Sequence, residues 1–236
     1  MYMFKHITPG EAGSTLLALA AASVSPLAFT WSATGAITMH RLGIIAIAPA
    51  ALLWLAILAL AALMGWKRLA WSGGIALAAG VLGTMAMEVV RVIGFREFQA
   101  MPGSLPMLIG VQLTDRFMDG PNLMSNLIGW ADHAWNGIGF AFIYITLFGR
   151  MRWWVGTIYA LGIATIFMLS PVMDIIGAGT FGQDFAPVLF PVTVYLAHIA
   201  YGSTVGWVVQ RSPRTPRDLL HDMFGAENRV LRYLSI

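Results

Sequence analysis

Six ionisable side chains lie inside segments of the chain that are otherwise apolar. They fall in four neighbouring segments and comprise Glu88, Arg91, Asp132, His133, Asp174 and His198. A charge at bilayer depth costs roughly 2.5 to 3.5 kcal/mol even on the scale that penalises it least, so each group needs a partner or a function. Helical spacing places these groups on the polar, small-residue faces of their segments. The pattern therefore predicts one shared, buried site of histidines and carboxylates.

The two histidines occur in matching H-x-x-x-G motifs, His133 to Gly137 and His198 to Gly202. Paired imidazoles on facing helices are the axial ligands of a bis-histidine b-haem. A glycine one turn away gives the clearance that a flat macrocycle needs between helices. The two motifs therefore predict cofactor binding at His133 and His198.

A non-haem metal centre is an alternative use of the same groups. His133 and His198 provide imidazole nitrogens, and Glu88, Asp132 and Asp174 provide carboxylate oxygens. Such a mixed set suits iron, zinc or copper. The E-x-x-H spacing of di-iron helical bundles is missing from the sequence. The chain contains no cysteine, which excludes thiolate-held clusters, disulfides and thiol catalysis.

Two further interpretations need no cofactor. In the first, the chain is an accessory subunit of a larger membrane complex, and its buried groups only hold helices together. Glu88 and Arg91, one helical turn apart, then neutralise each other, while Asp132 and His133 form hydrogen bonds between helices. Candidate partners for those bonds are Asn126, Asn136, Tyr195 and Tyr201. In the second, the carboxylates and histidines form the proton path of a small proton-coupled transporter.

Composition indicates an integral membrane protein. Hydrophobic residues make up 58% of the 236-residue chain and charged residues 11%, against about 25% charged in a typical soluble domain. The net charge of +3 comes without any run of basic residues, so we expect a lipid bilayer as the partner and no nucleic acid. Other membrane subunits or further copies of the chain are the candidate protein partners.

The hydropathy pattern predicts an all-α, polytopic protein with six transmembrane helices, because about 20 apolar residues cross a bilayer. The predicted spans are roughly 14–31, 43–65, 73–95, 122–148, 153–177 and 185–209. Together they form a bundle over residues 1–210, followed by a cytoplasmic tail at 211–236.

The lysines and arginines of the loops and termini predict the orientation. Ten of them fall on the side of the N-terminus, against Arg41, Arg96 and Arg116 on the other side. The positive-inside rule then places both termini in the cytoplasm of a bacterial inner membrane. The shared site consequently opens toward the periplasm.

The loop between the third and fourth spans contains an apolar stretch, Leu105 to Phe117, that is too short to cross the membrane. We expect it to lie in the interface or to dip back into the bilayer, which places Asp115 and Arg116 near the periplasmic mouth as charge partners of the site. An exposed helix that merely covers the bundle is the alternative.

The tail changes character after Gln210. Thr215 as N-cap, Pro216 at the first helical position and Asp218 in the first turn are typical of a helix start. Apolar residues that follow at helical spacing predict an amphipathic helix on the cytoplasmic membrane surface. Its apolar residues are Leu219, Leu220, Met223, Phe224, Val230, Leu231 and Leu234.

A tandem repeat of two spans each is also predicted, with spans three and four matching spans five and six. A shift of 83 residues superposes Gly73 on Gly156 and pairs Arg91 with Asp174. The H-x-x-x-G motifs then match spans four and six. Both units enter from the same side, so the axis that relates them lies near the membrane normal.

Overall fold

The computed structural model describes residues 8–216 and residue 234, and these residues form helices joined by loops. Two short one-turn segments accompany the helices, a π-helical turn at Gly43–Ile47 and a 3₁₀ turn at Thr180–Gly182. The helices are α1 Pro9–Ala33, α2 Met39–Leu42, α3 Ala48–Leu63, α4 Lys67–Phe98, α5 Leu105–Leu113, α6 Leu123–Phe148, α7 Trp153–Met168, α8 Val172–Ile175 and α9 Leu189–Arg211. The predicted amphipathic tail helix lies outside the described residues, apart from Leu234.

Four helical stretches of the described chain are long and apolar enough to cross a membrane. They are Pro9–Ala33, Met39–Leu63, Lys67–Phe98 and Leu189–Arg211. The all-helical class is confirmed, and these helices indicate a multi-pass membrane protein. The 26-residue α6 and the 16-residue α7 fall outside this set of four.

The fifth predicted span, 153–177, is interrupted in the structure. α7 ends at Met168, and a turn at Ser170 and Pro171 precedes the four-residue α8. Proline lacks a backbone N–H and disfavours helical geometry in the residue before it, which accounts for the break. The chain beyond the turn therefore leaves the axis of α7.

Glycines set the closest helix contacts. A Cβ on Gly80 of α4 would lie 2.5 Å from Cα of Ile138 in α6, and one on Gly156 of α7 would lie 2.5 Å from the carbonyl oxygen of Gly202 in α9. Small residues let helix backbones approach in this way within membranes. α4 thus packs against α6, and α7 against α9, with almost no side chain between them at these points.

The short helix α5 lies across the bundle. Gly110 of α5 faces Gly129 of α6 at backbone contact distance, since a Cβ on Gly129 would lie 2.8 Å from the Gly110 nitrogen. At the other end of α5, the His40 Nδ1 atom lies 2.7 Å from the Leu113 carbonyl oxygen. α5 is therefore held against α2 and α6, and its buried residue Ile109 points into the bundle.

Candidate functional site

Glu88, Arg91 and His133 form a buried cluster between α4 and α6. Arg91 Nη1 donates to Glu88 Oε1 at 2.8 Å, and His133 Nε2 donates to the same oxygen at 2.9 Å. The side chains of Glu88 and His133 are about nine-tenths buried, with 12% and 10% exposure. A carboxylate that accepts two such donors is held rigidly and has its charge compensated. The cluster therefore joins α4 to α6 through one oxygen atom.

The helix crossing described above places this cluster. Gly80 and Gly137 bring the α4 and α6 backbones together two turns below Glu88 and one turn below His133. Thr84 lies between these levels and donates its hydroxyl to the Gly80 carbonyl at 2.8 Å. Because the two backbones lie so close here, the side chains of Glu88 and His133, further along the same helices, come within hydrogen-bond distance of each other.

Asp132 faces away from that cluster, toward α1. Its Oδ1 accepts a 2.6 Å hydrogen bond from Ser25 Oγ, and its Oδ2 accepts a 3.0 Å bond from Asn136 Nδ2. Ser25 is fully buried and Asp132 is 6% exposed. Neighbouring residues Asp132 and His133 thus connect α6 to two different helices, α1 and α4.

His198 of α9 has one nitrogen anchored within its own helix. Its Nδ1 lies 2.8 Å from the Val194 carbonyl oxygen, and because a carbonyl can only accept, this nitrogen carries the proton. In the neutral ring the other nitrogen, Nε2, is then an acceptor. Among the described residues, Nε2 has no hydrogen-bond partner, so its lone pair remains available.

A cavity of about 320 Å³, here the main cavity, opens between α1, α4, α6, α7 and α9, with α5 over it. Arg91, His133 and His198 all line it, whereas Glu88 and Asp132 do not. Most of the wall is apolar. The apolar side chains include Leu27, Phe29, Met87, Met101, Ile109, Phe140, Ile163, Ile166, Phe167, Val194 and Ala197.

A second cavity of about 320 Å³, the adjoining cavity, lies beside the main one under α5. Both are lined by Arg91, Met101, Leu105 and Phe167. Arg91 therefore lies between two neighbouring cavities. Through Arg91, the buried cluster borders both cavities.

The remaining predicted site residues lie apart from this cluster. Asp174 is exposed on α8, and the carboxylate that pairs with Arg91 is Glu88. The turn at Pro171 explains the separation, because it carries the chain away from the α7 axis. Asp115 is exposed at a positive φ of 53° after α5. Arg116 binds locally, to the Gly120 carbonyl at 3.2 Å and to Asp119 at 3.5 Å.

The predicted metal ligands do not converge in the part of the chain described. Within residues 8–216 and 234, no group of three or more histidine, aspartate or glutamate side chains is placed to hold a metal ion. The sequence predicts that the glycines of the two H-x-x-x-G motifs leave space for a haem, but in the structure both glycines make close contacts between helices. Gly137 faces Gly80 and Thr84, and Gly202 faces Gly156.

Sequence reasoning missed Ser25, the α1 partner of Asp132. A signal was present, because α1 carries a stripe of small residues at helical spacing, Ala18, Ala21, Ala22, Ser25 and Ala28, all buried in the structure. Ser25 is the polar member of that stripe. A hydroxyl on a face of alanines marks where a helix can accept a polar partner.

Comparison with known proteins assigns no family to the chain. No protein-family model, no curated protein and no solved structure matches it. The function is therefore argued from the geometry of the cavity and its polar groups.

Proposed function

We propose that this protein binds a small, largely apolar molecule within the bilayer, in the main cavity. One observation carries the proposal: Arg91, His133 and His198 reach a single cavity of about 320 Å³ whose other walls are mainly apolar. Ligand sites are typically clefts of about 300 to 1,000 Å³ with apolar walls and a few well-placed polar groups. A molecule with an apolar body and one polar head matches both parts of this lining.

The buried cluster supports a binding role over a purely structural one. The bond from His133 to Glu88 is sufficient to join α4 to α6, and Arg91 lies on the same helix as Glu88. Arg91 extends beyond this contact to line two cavities. Hydrogen bonds that only hold helices together need no cavity, and close-packed protein interiors contain few voids larger than a water molecule.

The proposal is tested by filling the cavity. Ala197 is fully buried and lines the main cavity, so Ala197→Leu reduces its volume. Ala131, exposed on α6, provides the matched control Ala131→Leu. Mass spectrometry of molecules extracted from the purified proteins should find a near-stoichiometric compound in the wild type and in Ala131→Leu, and much less of it in Ala197→Leu. Equal amounts of the same compounds in the extracts of all three proteins would contradict the proposal.

A metal- or haem-binding role for His133 and His198 is the second candidate. It is favoured by the hydrogen bonds that anchor one nitrogen of each ring, His133 Nε2 to Glu88 and His198 Nδ1 to Val194. Such bonds orient imidazole ligands in metal sites and set the tautomer. The absorption spectrum and elemental analysis of the purified protein test it. A protein with no Soret band and no stoichiometric metal would contradict this candidate.

For the topology we propose six spans with both termini in the cytoplasm of a bacterial inner membrane. α6 has 26 residues, about 39 Å at 1.5 Å per residue, which is sufficient to cross a bilayer. Its polar residues Asp132 and His133 are buried against α1 and α4 rather than exposed to lipid. α7 completes its crossing only with the turn at Pro171 and α8.

We also propose that α4–α6 and α7–α9 are two copies of one helix pair. The glycine of each H-x-x-x-G motif packs on a glycine of the other helix in its pair, Gly137 of α6 on Gly80 of α4 and Gly202 of α9 on Gly156 of α7. These contacts support a shift of 76 residues between α4 and α7 in place of 83. In this register Ala164 corresponds to Glu88 and His198 to His133, and His198 bonds to the Val194 carbonyl of its own helix instead of to a carboxylate.

A further inference from the structure

We infer that the main cavity recognises a single-chain amphiphile whose polar head is an oxyacid, either a carboxylic acid or a monoalkyl phosphate. The inference rests on the proposed function and adds the chemistry of the head group. Some hydrogen-bonding atoms of the cavity wall are engaged within the protein, and others remain for a ligand.

Most donors of the cavity wall are engaged within the protein. The hydroxyls of Thr84, Ser170 and Tyr201 donate to backbone carbonyls at 2.8, 2.7 and 2.6 Å. The amide nitrogen of Asn136 donates to the side chain and the backbone carbonyl of Asp132, at 3.0 and 3.1 Å. These four side chains can accept from a ligand but have no proton left to donate.

Arg91 is the charged donor that remains. Its Nη1 binds Glu88 through a single oxygen, although a guanidinium carries five N–H donors and favours paired, parallel contacts with an oxyanion. Its side chain is 11% exposed, and that exposed part faces the two cavities. A ligand oxygen, best an anionic one, would complete the coordination of this cation. Thr30 offers one further, neutral hydroxyl.

An acceptor remains on another wall of the cavity. His198 presents Nε2, because its Nδ1 proton is committed to the Val194 carbonyl. The Oδ1 atom of Asn136, a lining residue, is buried without a hydrogen-bond partner in the described structure. That oxygen has almost no accessible surface, so the acceptor that a ligand O–H group can reach is His198 Nε2.

An oxyacid head matches this arrangement. A monoalkyl phosphate monoanion carries both an anionic oxygen that accepts from a guanidinium and an O–H that donates to an imidazole, whereas a carboxylic acid offers a carboxylate to the guanidinium when ionised and an O–H to the imidazole when protonated. An alcohol lacks the anionic oxygen, and an amine places a cation beside Arg91. The volume of about 320 Å³ lies at the small end of ligand sites, which favours one alkyl chain over two.

The test compares head groups on one chain length with the wild-type protein in nanodiscs. Binding of decanoic acid, decyl phosphate, decanol and decylamine is measured by equilibrium dialysis. At least one of the two acids is expected to bind roughly tenfold or more tightly than decanol and decylamine, the difference expected from a charge-assisted hydrogen bond. The acid that binds more tightly identifies the head group.

A matched pair of variants locates the contact. Arg91→Gln removes the guanidinium at the cavity, and Arg96→Gln removes an exposed one from the last turn of the same helix. Arg91→Gln should weaken binding of the preferred acid by about tenfold and leave decanol binding unchanged. Arg96→Gln should change neither. Arg91→Lys keeps a cation beside Glu88 and serves if the glutamine variant does not fold.

The outcomes separate the inference from the function on which it rests. Equal binding of decanol and both acids by the wild type, lost in Ala197→Leu, would overturn the oxyacid head while the cavity remains a binding site. Binding of all four compounds that is unaffected by Ala197→Leu, or no binding of any, would overturn both. Acid selectivity that persists in Arg91→Gln would overturn the assignment of Arg91 as the contact.

Discussion

His133 Nε2 and Glu88 Oε1 lie 2.9 Å apart, although 45 residues separate the two side chains in sequence. The bond joins α4 to α6 and shares its acceptor with Arg91. One oxygen therefore holds a guanidinium beside a cavity and orients an imidazole on that cavity's wall. Removing Glu88 should disturb both groups at once.

Glu88→Ala should destabilise the protein by about 3 to 5 kcal/mol, because it leaves the Arg91 cation buried without compensation. Adding Arg91→Met to that variant should recover part of the loss, since the unpaired charge is then gone. The free energy of unfolding in mixed micelles, measured for both single variants and the double variant, gives the coupling between the two residues. Strictly additive losses would show that the pair is energetically independent.

Ser25→Ala should cost roughly 1.5 to 3 kcal/mol, the range for a hydrogen bond to a charged group, because Asp132 Oδ1 then loses its 2.6 Å donor. Ser23 on the same helix donates only to the Leu19 carbonyl, so Ser23→Ala is the control. The thermal unfolding temperature of Ser23→Ala should stay close to that of the wild type. Equal shifts for the two variants would argue against a special contact between α1 and α6.

Gly80→Ala and Gly156→Ala should each destabilise the bundle by about 1 to 3 kcal/mol through overpacking. In both, the new Cβ meets backbone atoms of the facing helix, which cannot move aside as a side chain can. Gly162 of α7 has nothing within 4 Å of its Cβ position. Gly162→Ala should therefore stabilise by roughly 0.5 to 1 kcal/mol. Unfolding free energies check the sign as well as the size.

Gly110→Ala should loosen α5 from α6, because its Cβ would lie 2.8 Å from the Ser125 carbonyl carbon. Hydrogen exchange of the α5 amides should accelerate, with little change in α4 or α9. Gly103, in the loop before α5, has open space around it, and Gly103→Ala should leave exchange unaltered. Unchanged protection of α5 in Gly110→Ala would mean that other contacts hold this helix.

Parts of the site could be predicted from sequence because they depend on one helix. Glu88 and Arg91 are three residues apart, so any helix brings them together. The bond from His133 to Glu88 depends instead on how α4 and α6 are rotated at Gly80 and Gly137, which spacing within one segment does not determine. Ser25 is more remote still, since 107 residues separate it from Asp132.

The helices of the fold likewise differ in how well the sequence predicts them. Apolar length predicts helices well, as α1, α4 and α9 demonstrate, because each contains an uninterrupted stretch of high mean hydropathy. Hydropathy alone predicts one span over 153–177 with Asp174 in the buried site, whereas Pro171 ends the helix and Asp174 is exposed on α8. The helix break, which is a local backbone effect, decided the position of a residue three places further on.

The polar residues of α6 have a consequence for the order of assembly. Asp132 and His133 bind Ser25 of α1 and Glu88 of α4, and both partners precede them in the chain. A ribosome makes the N-terminal helices first. In the proposed six-span arrangement, α6 thus enters a membrane that already holds the acceptor for its imidazole and the donor for its carboxylate. A helix with polar side chains at its centre can therefore join the bundle late without exposing those side chains to lipid.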